Sequence, residues 1–258
     1  MPGILCCFKW VVDEAYIRAG TGKELDLDWV DYKISDYDRN AIEEAVRLQE
    51  KHGGNVSAIT VGKPDDTKGL KDALSRGPEK AYFINDSSFD NLEPSQTAAI
   101  LAEVIGGSSI DYDLIICGEG SSDLYARQVG PRLAAKLGIP CAAFVQKIEM
   151  EQDKIIVERK IEDGVEVLEL PLPALVTVLP DINSPRIPGL KDTLSASKKP
   201  VIDIGLDELS GSFDPCLRTI SISKANMERN GVKLSSEPQD ISSLVDALIK
   251  QGVIGGVK

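Results

Sequence analysis

The chain has 258 residues, with 29 Lys and Arg against 41 Asp and Glu, and a formal net charge of −12. Its 42% hydrophobic and 27% charged residues exclude global disorder. The acidic excess argues against nucleic acid or an anionic membrane as main partner, because neutralising phosphates needs clustered Lys and Arg.

In chain order, residues 4–11 read as a short apolar strand, and residues 13–34, with Gly20, Gly22 and alternating charges, as irregular. Ser35-Asp36-Tyr37-Asp38 matches an S-x-x-D capping box. It opens a helix whose Ala41, Ile42, Ala45, Val46 and Leu48 form one apolar stripe, stopped by Gly53-Gly54. Residues 55–61 read as a second strand ending at Gly62, 65–75 as a helix, and 80–84 as a third strand. Pro94 opens a helix over 95–105, closed by Gly106-Gly107. Residues 113–117 make a fourth strand, and a helix follows from about 124 to 137. Strands of continuous apolar residues alternating with helices predict a parallel sheet covered on both faces.

After Gly138 the pattern changes. Residues 142–150, 154–160, 165–170 and 174–178 are strand-like with turns at 152–153 and 163–164, and read as antiparallel hairpins appended to the sheet. Residues 180–200 are rich in Pro and Lys, with no strong period. The last 58 residues hold too little apolar sequence for a core of their own. Ile241, Leu244, Val245 and Leu248 nevertheless make a helical stripe, opened by Pro238 and ended near Gly252. The organisation expected is therefore an α/β domain over 1–200 and a C-terminal arm over 201–258. The arm docks on this domain or on another chain.

The chain holds one histidine, His52, so a His-based triad or His-rich metal site is nearly excluded. The five cysteines, Cys6, Cys7, Cys117, Cys141 and Cys216, form no C-x-x-C pair and no zinc spacing. They read as reduced structural thiols. No metal site and no catalytic side chain are expected, and any chemistry belongs to something bound. No apolar run approaches the roughly 18 residues of a membrane span. The first residues read as strand rather than as a signal peptide. A soluble, cytoplasmic protein is the expectation.

In an open parallel sheet, ligands sit beyond the carboxyl ends of the strands, at a topological switch point. The loop after the fourth strand, G-E-G-S-S-D-L-Y-A-R-Q-V-G over 118–130, is the best candidate. Its glycines allow close backbone approach, Ser121 and Ser122 offer hydroxyls, and the helix end that follows suits a pyrophosphate. Arg127 and Gln128 are expected one turn into that helix, within reach of phosphate or ribose. Each feature also has a plain structural reading. A Ser/Gly-rich turn caps helices, Ser35–Asp38 and Asp123 suit caps, Lys198-Lys199 suits a solvated charge pair, and Cys117 a packed thiol.

The loop G-E-G-S-S-D-L-Y-A-R-Q-V-G-P, with D-L-I-I-C before it, resembles the nucleotide-binding loop of electron transfer flavoprotein beta subunits. Further similar segments follow in order: C-F-K-W-V-V-D at 7–13, Y-D-R-N-A-I-E-E-A-V-R-L at 37–48, L-S-R-G-P-E-K-A at 74–81, L-P-L-P-A-L-V-T-V at 170–178 and I-N-S-P-R-I-P-G-L at 182–190. The resemblance covers about residues 3–200. The S-R-G-P and S-S-D-L-Y variants look most like the Fix-type branch, which accompanies acyl-CoA metabolism. It implies a Rossmann-like, adenine nucleotide alpha hydrolase-like α/β domain in a heterodimer with a flavin-binding alpha subunit. Carried over residue by residue, the nucleotide of this subunit would touch Cys7, Lys9, Ser35, Asp36, Tyr37, Asp38 and Val61. It would also touch Gly118, Glu119, Gly120, Ser121, Ser122, Asp123, Leu124, Tyr125, Ala126, Arg127, Gln128 and Val129. Residues 177–199 would meet an acyl-CoA dehydrogenase, with Arg186 and the apolar knob Leu190 as partner-binding residues, and the tail from about 200 would embrace the alpha subunit.

One departure stands out: many members carry D-x-D in this loop, and here the second acid is Tyr125. The Q-V-G-P at 128–131 looks more like bifurcating or Fix-like members, whose second nucleotide is FAD reduced by NADH with ferredoxin as partner, than like AMP binders. The resemblance thus implies FAD in this subunit, with AMP as the alternative, and a second FAD in the alpha subunit. A stand-alone adenine-nucleotide binder of the stress-protein type would also account for residues 1–140. It would leave the hairpins, the Pro/Lys segment and the tail unused. A self-sufficient hydrolase fails for want of a nucleophile–base pair.

Overall fold

The structure, a computed structural model, describes residues 1–19, 25–26, 30–107, 110–217, 219–223 and 231–255. The first strand, β1 (Gly3–Cys7), is buried throughout. At Phe8–Lys9 the chain leaves the sheet and continues as β2 (Trp10–Val12), so the strand expected over 4–11 is two. The break has a local cause: the Lys9 N–H donates to the Asp38 carboxylate at 2.8 Å instead of to a neighbouring strand. The stretch expected to be irregular contains β3 (Arg18–Ala19), β4 (Leu25–Asp26) and β5 (Tyr32–Ile34). There β3 pairs with β4, and β5 with β2, both antiparallel. Gly20 and Gly22 lie outside the described residues.

The alternation then proceeds through α1 (Asp36–His52), β6 (Asn55–Gly62), α2 (Thr67–Ser75), β7 (Lys80–Asn85), α3 (Pro94–Gly107), β8 (Leu114–Gly118) and α4 (Val129–Leu137). A meander of β9 (Cys141–Met150), β10 (Lys154–Ile161) and β11 (Gly164–Pro171) follows, then β12 (Ala174–Val178), α5 (Leu190–Ala196), β13 (Val201–Gly205) and α6 (Pro238–Lys250). The main sheet has nine strands in the order β11-β10-β9-β12-β8-β1-β6-β7-β13. Every neighbouring pair is parallel except β9–β10 and β10–β11. The chain winds outward from β1 through β6 to β7, then crosses back to place β8 on the other side of β1. The strand order reverses between β1 and β8.

Both faces of the sheet are covered, as the continuous apolar strands require. Ile4, Cys6, Leu114 and Ile116 pack with Ile42 of α1, Leu70 of α2 and Ala196 of α5. Their alternates Leu5, Cys7, Ile115 and Cys117 pack with Ile100 and Leu101 of α3 and Leu133 of α4. Each large side chain fully buried here contributes roughly 1.5–3 kcal/mol.

Several expectations need correction. The helix expected from about 124 begins at Val129, because Tyr125 and Arg127 take φ of 45° and 57°, which no right-handed helix passes through. Residues 174–178 are not a hairpin strand. All five are buried, and β12 lies between β8 and β9, parallel to both; a strand apolar on both faces belongs inside the sheet. Within the segment read as without period, Leu190–Ala196 is helical, too short for periodicity to register.

The chain divides into two compact units, Met1–Ile222 and Ser223–Lys258. The boundary expected at 200 cuts into the first of these. Residues 201–205 are the edge strand β13, paired with β7, and Leu206, Leu209 and Phe213 pack against the core. The Glu103 carboxylate fastens this stretch by accepting the Ser210 and Gly211 N–H groups at 2.5 and 3.0 Å. In the second unit, α6 buries none of its residues, and Ile241, Leu244 and Val245 are exposed. No helix among the described residues is long and apolar enough to cross a membrane.

Candidate functional site

Gly118 ends β8 beside the end of β1, where the strand order reverses. A cleft of about 260 Å³ opens there, at the crevice that open α/β sheets offer to ligands. Of the residues expected at a nucleotide, Cys7, Lys9, Asp38 and Val61 line it, with Gly118, Glu119, Gly120, Ser121, Asp123, Leu124, Ala126, Arg127, Gln128 and Val129 from the loop. Ser35, Asp36, Tyr37, Ser122 and Tyr125 do not line it. They fasten the loop to the start of α1.

That fastening replaces the expected capping box. Ser35 makes no side-chain bond to its own helix. Its Oγ accepts the Ser122 N–H at 3.2 Å, and the Ser122 Oγ accepts the Asp36 N–H at 2.9 Å. Asp38 reaches further: its two carboxylate oxygens accept the Lys9 N–H at 2.8 Å and the Gly118 N–H at 3.2 Å. One carboxylate thus ties together the ends of β1 and β8 on either side of the cleft. It is 7% exposed. Burial pushes the Asp38 carboxyl up to about 7, against the opposing pull of the two backbone N–H groups and the Lys9 charge.

Gly118 has a steric reason as well. A Cβ there would stand 2.6 Å from Asp38 Oδ1 and 2.8 Å from the Tyr37 carbonyl carbon. The first turn of α1 is thus close enough by itself to require glycine here. Gly120 serves the loop in the same way: a Cβ would meet the Tyr125 ring at 2.7 Å.

Three cationic side chains line the cleft: Lys9, Lys63 and Arg127. Lys9 pairs with Asp123 at 2.5 Å, and Lys63 with Asp90 at 3.2 Å. Burial pushes the Asp123 carboxyl up, but the Lys9 charge and hydrogen bond outweigh it and leave it below the usual carboxylate range. Arg127 has no carboxylate partner among the described residues, and its guanidinium lies over the Tyr125 ring, 4.3 Å from the centroid. The Tyr125 hydroxyl donates to the buried Glu119 carboxylate, which pushes the phenol up to about 12. Holding Tyr125 and Arg127 at positive φ costs about 1–2 kcal/mol each, a cost that neighbouring contacts must offset. Arg127 and Gln128 therefore precede α4 instead of lying one turn inside it, while Val129 and Gly130 bring its positive end to the cleft.

At the floor, the Cys7 and Cys117 thiols are hydrogen-bonded, which together with burial raises the Cys117 thiol well above its ordinary value. Among the described residues, no group of three or more His, Cys, Asp and Glu gathers as a metal site would. Further walls of the cleft escape the sequence reading. Trp10, Val12 and Tyr32 come from the β2–β5 ribbon, Thr60, Lys63 and Asp66 from the end of β6, and Phe89, Leu92, Thr97 and Leu101 from the β7–α3 connection and α3. The strand-end rule, applied to β6 and β7 as well as to β8, points to the second and third groups. Nothing in the period of 13–34 signals the ribbon.

The segment expected to meet a partner is built rigidly. Arg186 is committed within the chain: its guanidinium forks onto Glu43 at 2.8 and 3.1 Å and Glu50 at 2.8 Å. Asn183 bonds Asn40 and Glu44 on the same helix. Lys199, far from a solvated charge, donates to the Leu74, Gly77 and Pro78 carbonyls at 2.7, 3.2 and 2.7 Å and so caps α2. Between these anchors, Ile187, Leu190 and Leu194 stand 93%, 79% and 64% exposed.

Fold and cleft together define a doubly wound α/β domain whose ligand crevice lies at the topological switch point, beneath a Gly/Ser loop. Residues 27–209 match the electron transfer flavoprotein domain, and the chain belongs to that family. Members of the family bind flavin or nucleotide, form heterodimers and serve electron transfer.

Proposed function

We propose that this chain is the beta subunit of a heterodimeric electron transfer flavoprotein of the Fix-type branch. The observation that carries the reading is the cleft between β1 and β8, with one cation, Arg127, left without a carboxylate among the described residues and the positive end of α4 beside it. Such a pairing suits the phosphates of an adenine nucleotide. The residues fit a nucleotide in kind: an apolar wall of Val61, Phe89 and Leu101, paired polar groups at Lys9 and Asp123, and one uncommitted guanidinium.

The nucleotide proposed here is FAD with its adenylate part in the cleft, while a second FAD belongs to the alpha subunit. Bound flavin would supply the redox chemistry, accepting and releasing electrons. The chain's own residues bind and orient: the Asp38 brace fixes the strand ends, and the Ser35–Ser122 bonds fix the loop. A second reading is AMP alone in this subunit. At about 260 Å³ the cleft lies just below the roughly 300–1,000 Å³ of small-molecule sites, a size that suits the adenylate part of either nucleotide.

In this reading Leu190 docks into an acyl-CoA dehydrogenase or a similar partner, and Arg186 positions it by clamping its segment to α1. The exposed stripe of α6 docks on the alpha subunit. With FAD in this subunit, electrons would come from NADH and be shared with ferredoxin, in the cytoplasm. The test is expression with and without a flavin-binding partner chain. A coloured heterodimer that reduces the acyl-CoA dehydrogenase supports the reading. A colourless monomer that binds ATP tightly alone would replace it with the stress-type nucleotide binder.

A further inference from the structure

Among the described residues, four other than glycine take positive φ, and three of them meet at one point: Tyr125 at 45°, Arg127 at 57° and Phe144 at 62°. Phe144 belongs to β9, on the opposite side of β12 from the loop's own strand. There the pairing of β9 with β12 slips: Val176 faces Ala142 but Val178 faces Val145, so residues 143 and 144 both oppose Thr177. The Thr177 Oγ1 accepts the Phe144 N–H at 3.3 Å and holds the bulge. Bulges beside functional sites re-aim side chains. This one carries the Phe144 ring to 5.8 Å from the Arg127 guanidinium carbon, while Tyr125 lies at 4.3 Å. Tyr125 is itself fixed on two sides, stacked on Tyr37 at 5.1 Å and bonded through its hydroxyl to Glu119.

We propose that Tyr125 and Phe144 are positioning residues that hold the Arg127 guanidinium as a pre-oriented cation for a phosphate of the bound adenine nucleotide. Neither ring lines the cleft, whereas Arg127 does. The arrangement explains why bulky residues take left-handed backbone angles here: the strain is spent on aiming one side chain. A carboxylate at 125 would neutralise Arg127 as Asp123 and Asp90 neutralise Lys9 and Lys63, whereas an aromatic face attracts the guanidinium and leaves its charge for the ligand.

The proposal rests on the nucleotide reading of the cleft, and the test separates the two. AMP and adenosine are titrated calorimetrically into the complex of this chain with its flavin-binding partner, freed of the nucleotide of this subunit, and into the same complex of each variant, with thermal unfolding alongside. Arg127→Ala is expected to weaken AMP about tenfold, as for loss of one charge-assisted contact, with adenosine unchanged. Tyr125→Ala is expected to reproduce most of that loss, and the double variant to add little, because both remove the same interaction. Tyr125→Phe, which keeps the ring and drops the Glu119 bond, restores AMP affinity. Losses that multiply in the double variant, or that fall equally on adenosine, overturn the proposal while leaving a nucleotide in the cleft. Absence of binding by the unmodified complex to either compound overturns the nucleotide reading and the proposal with it.

Discussion

Asp38 couples the integrity of the cleft to pH. Its folded carboxyl, pushed up to about 7 from an ordinary 3.8 chiefly by burial, holds its proton more tightly than in the unfolded chain. Stability from this group is therefore fully present below about pH 4 and is lost as pH rises towards 7; above that both states are ionised and the slope vanishes. Roughly three pH units at about 1.4 kcal/mol each amount to about 4 kcal/mol. Asp38→Asn removes the titration and turns one amide hydrogen pair towards a backbone N–H, a constant offset of about 1–3 kcal/mol. Urea unfolding of both chains, followed by circular dichroism from pH 4 to 8, isolates the group from every other carboxylate. The difference in unfolding free energy is expected to move by about 4 kcal/mol in favour of the Asn variant between pH 4 and 7. Curves that stay parallel within about 1 kcal/mol would show Asp38 ionised in the fold throughout, with its two backbone N–H donors outweighing burial.

Gly118→Val is expected to lower the melting temperature as well as the nucleotide content of the purified protein, since its Cβ collides with Tyr37 and Asp38; normal stability and content would misplace the strand end. Lys199→Met leaves the Leu74, Gly77 and Pro78 carbonyls without their shared donor. It should cost about 1.5–3 kcal/mol in urea unfolding, and no change would mean that water replaces the amine freely. Leu190→Ala, at a side chain 79% exposed, should leave melting temperature and flavin content unchanged. It should slow dehydrogenase-coupled turnover, about tenfold for each 1.4 kcal/mol of docking lost; a fall in stability with unaltered coupling would refute the docking role. Cutting the chain after Ile222, where the first compact unit ends, should leave a folded domain that no longer co-purifies with the alpha subunit. A stable heterodimer of the shortened chain would show the tail dispensable.

What the sequence makes legible follows from how local each determinant is. The strands β1, β6, β7 and β8 announce themselves because burial on both faces demands unbroken apolar runs, and α1 does so through its stripe. The edge strand β13 is half exposed, and its Val-Ile-Asp-Ile-Gly carries neither signature. At the site, the residue types of 118–130 are legible, but which of them face the cleft is not. The left-handed angles of Tyr125 and Arg127 go with a contact to Glu119 inside the loop and with ring contacts to Tyr37 and to the Phe144 bulge, which are distant in sequence. Ser35 and Asp38 show the same limit. Their spacing satisfies a local capping box, and only the fold reveals that both side chains bond instead to Ser122, Lys9 and Gly118.

The central claim, that the crevice between β1 and β8 holds an adenine nucleotide in an electron transfer flavoprotein beta subunit, is tested most directly by what heat releases from the purified heterodimer. Two flavins per heterodimer, or one flavin and one AMP, are expected, with the nucleotide of this subunit lost in Gly118→Val. A single flavin with no further adenine nucleotide, unchanged by that substitution, would contradict it.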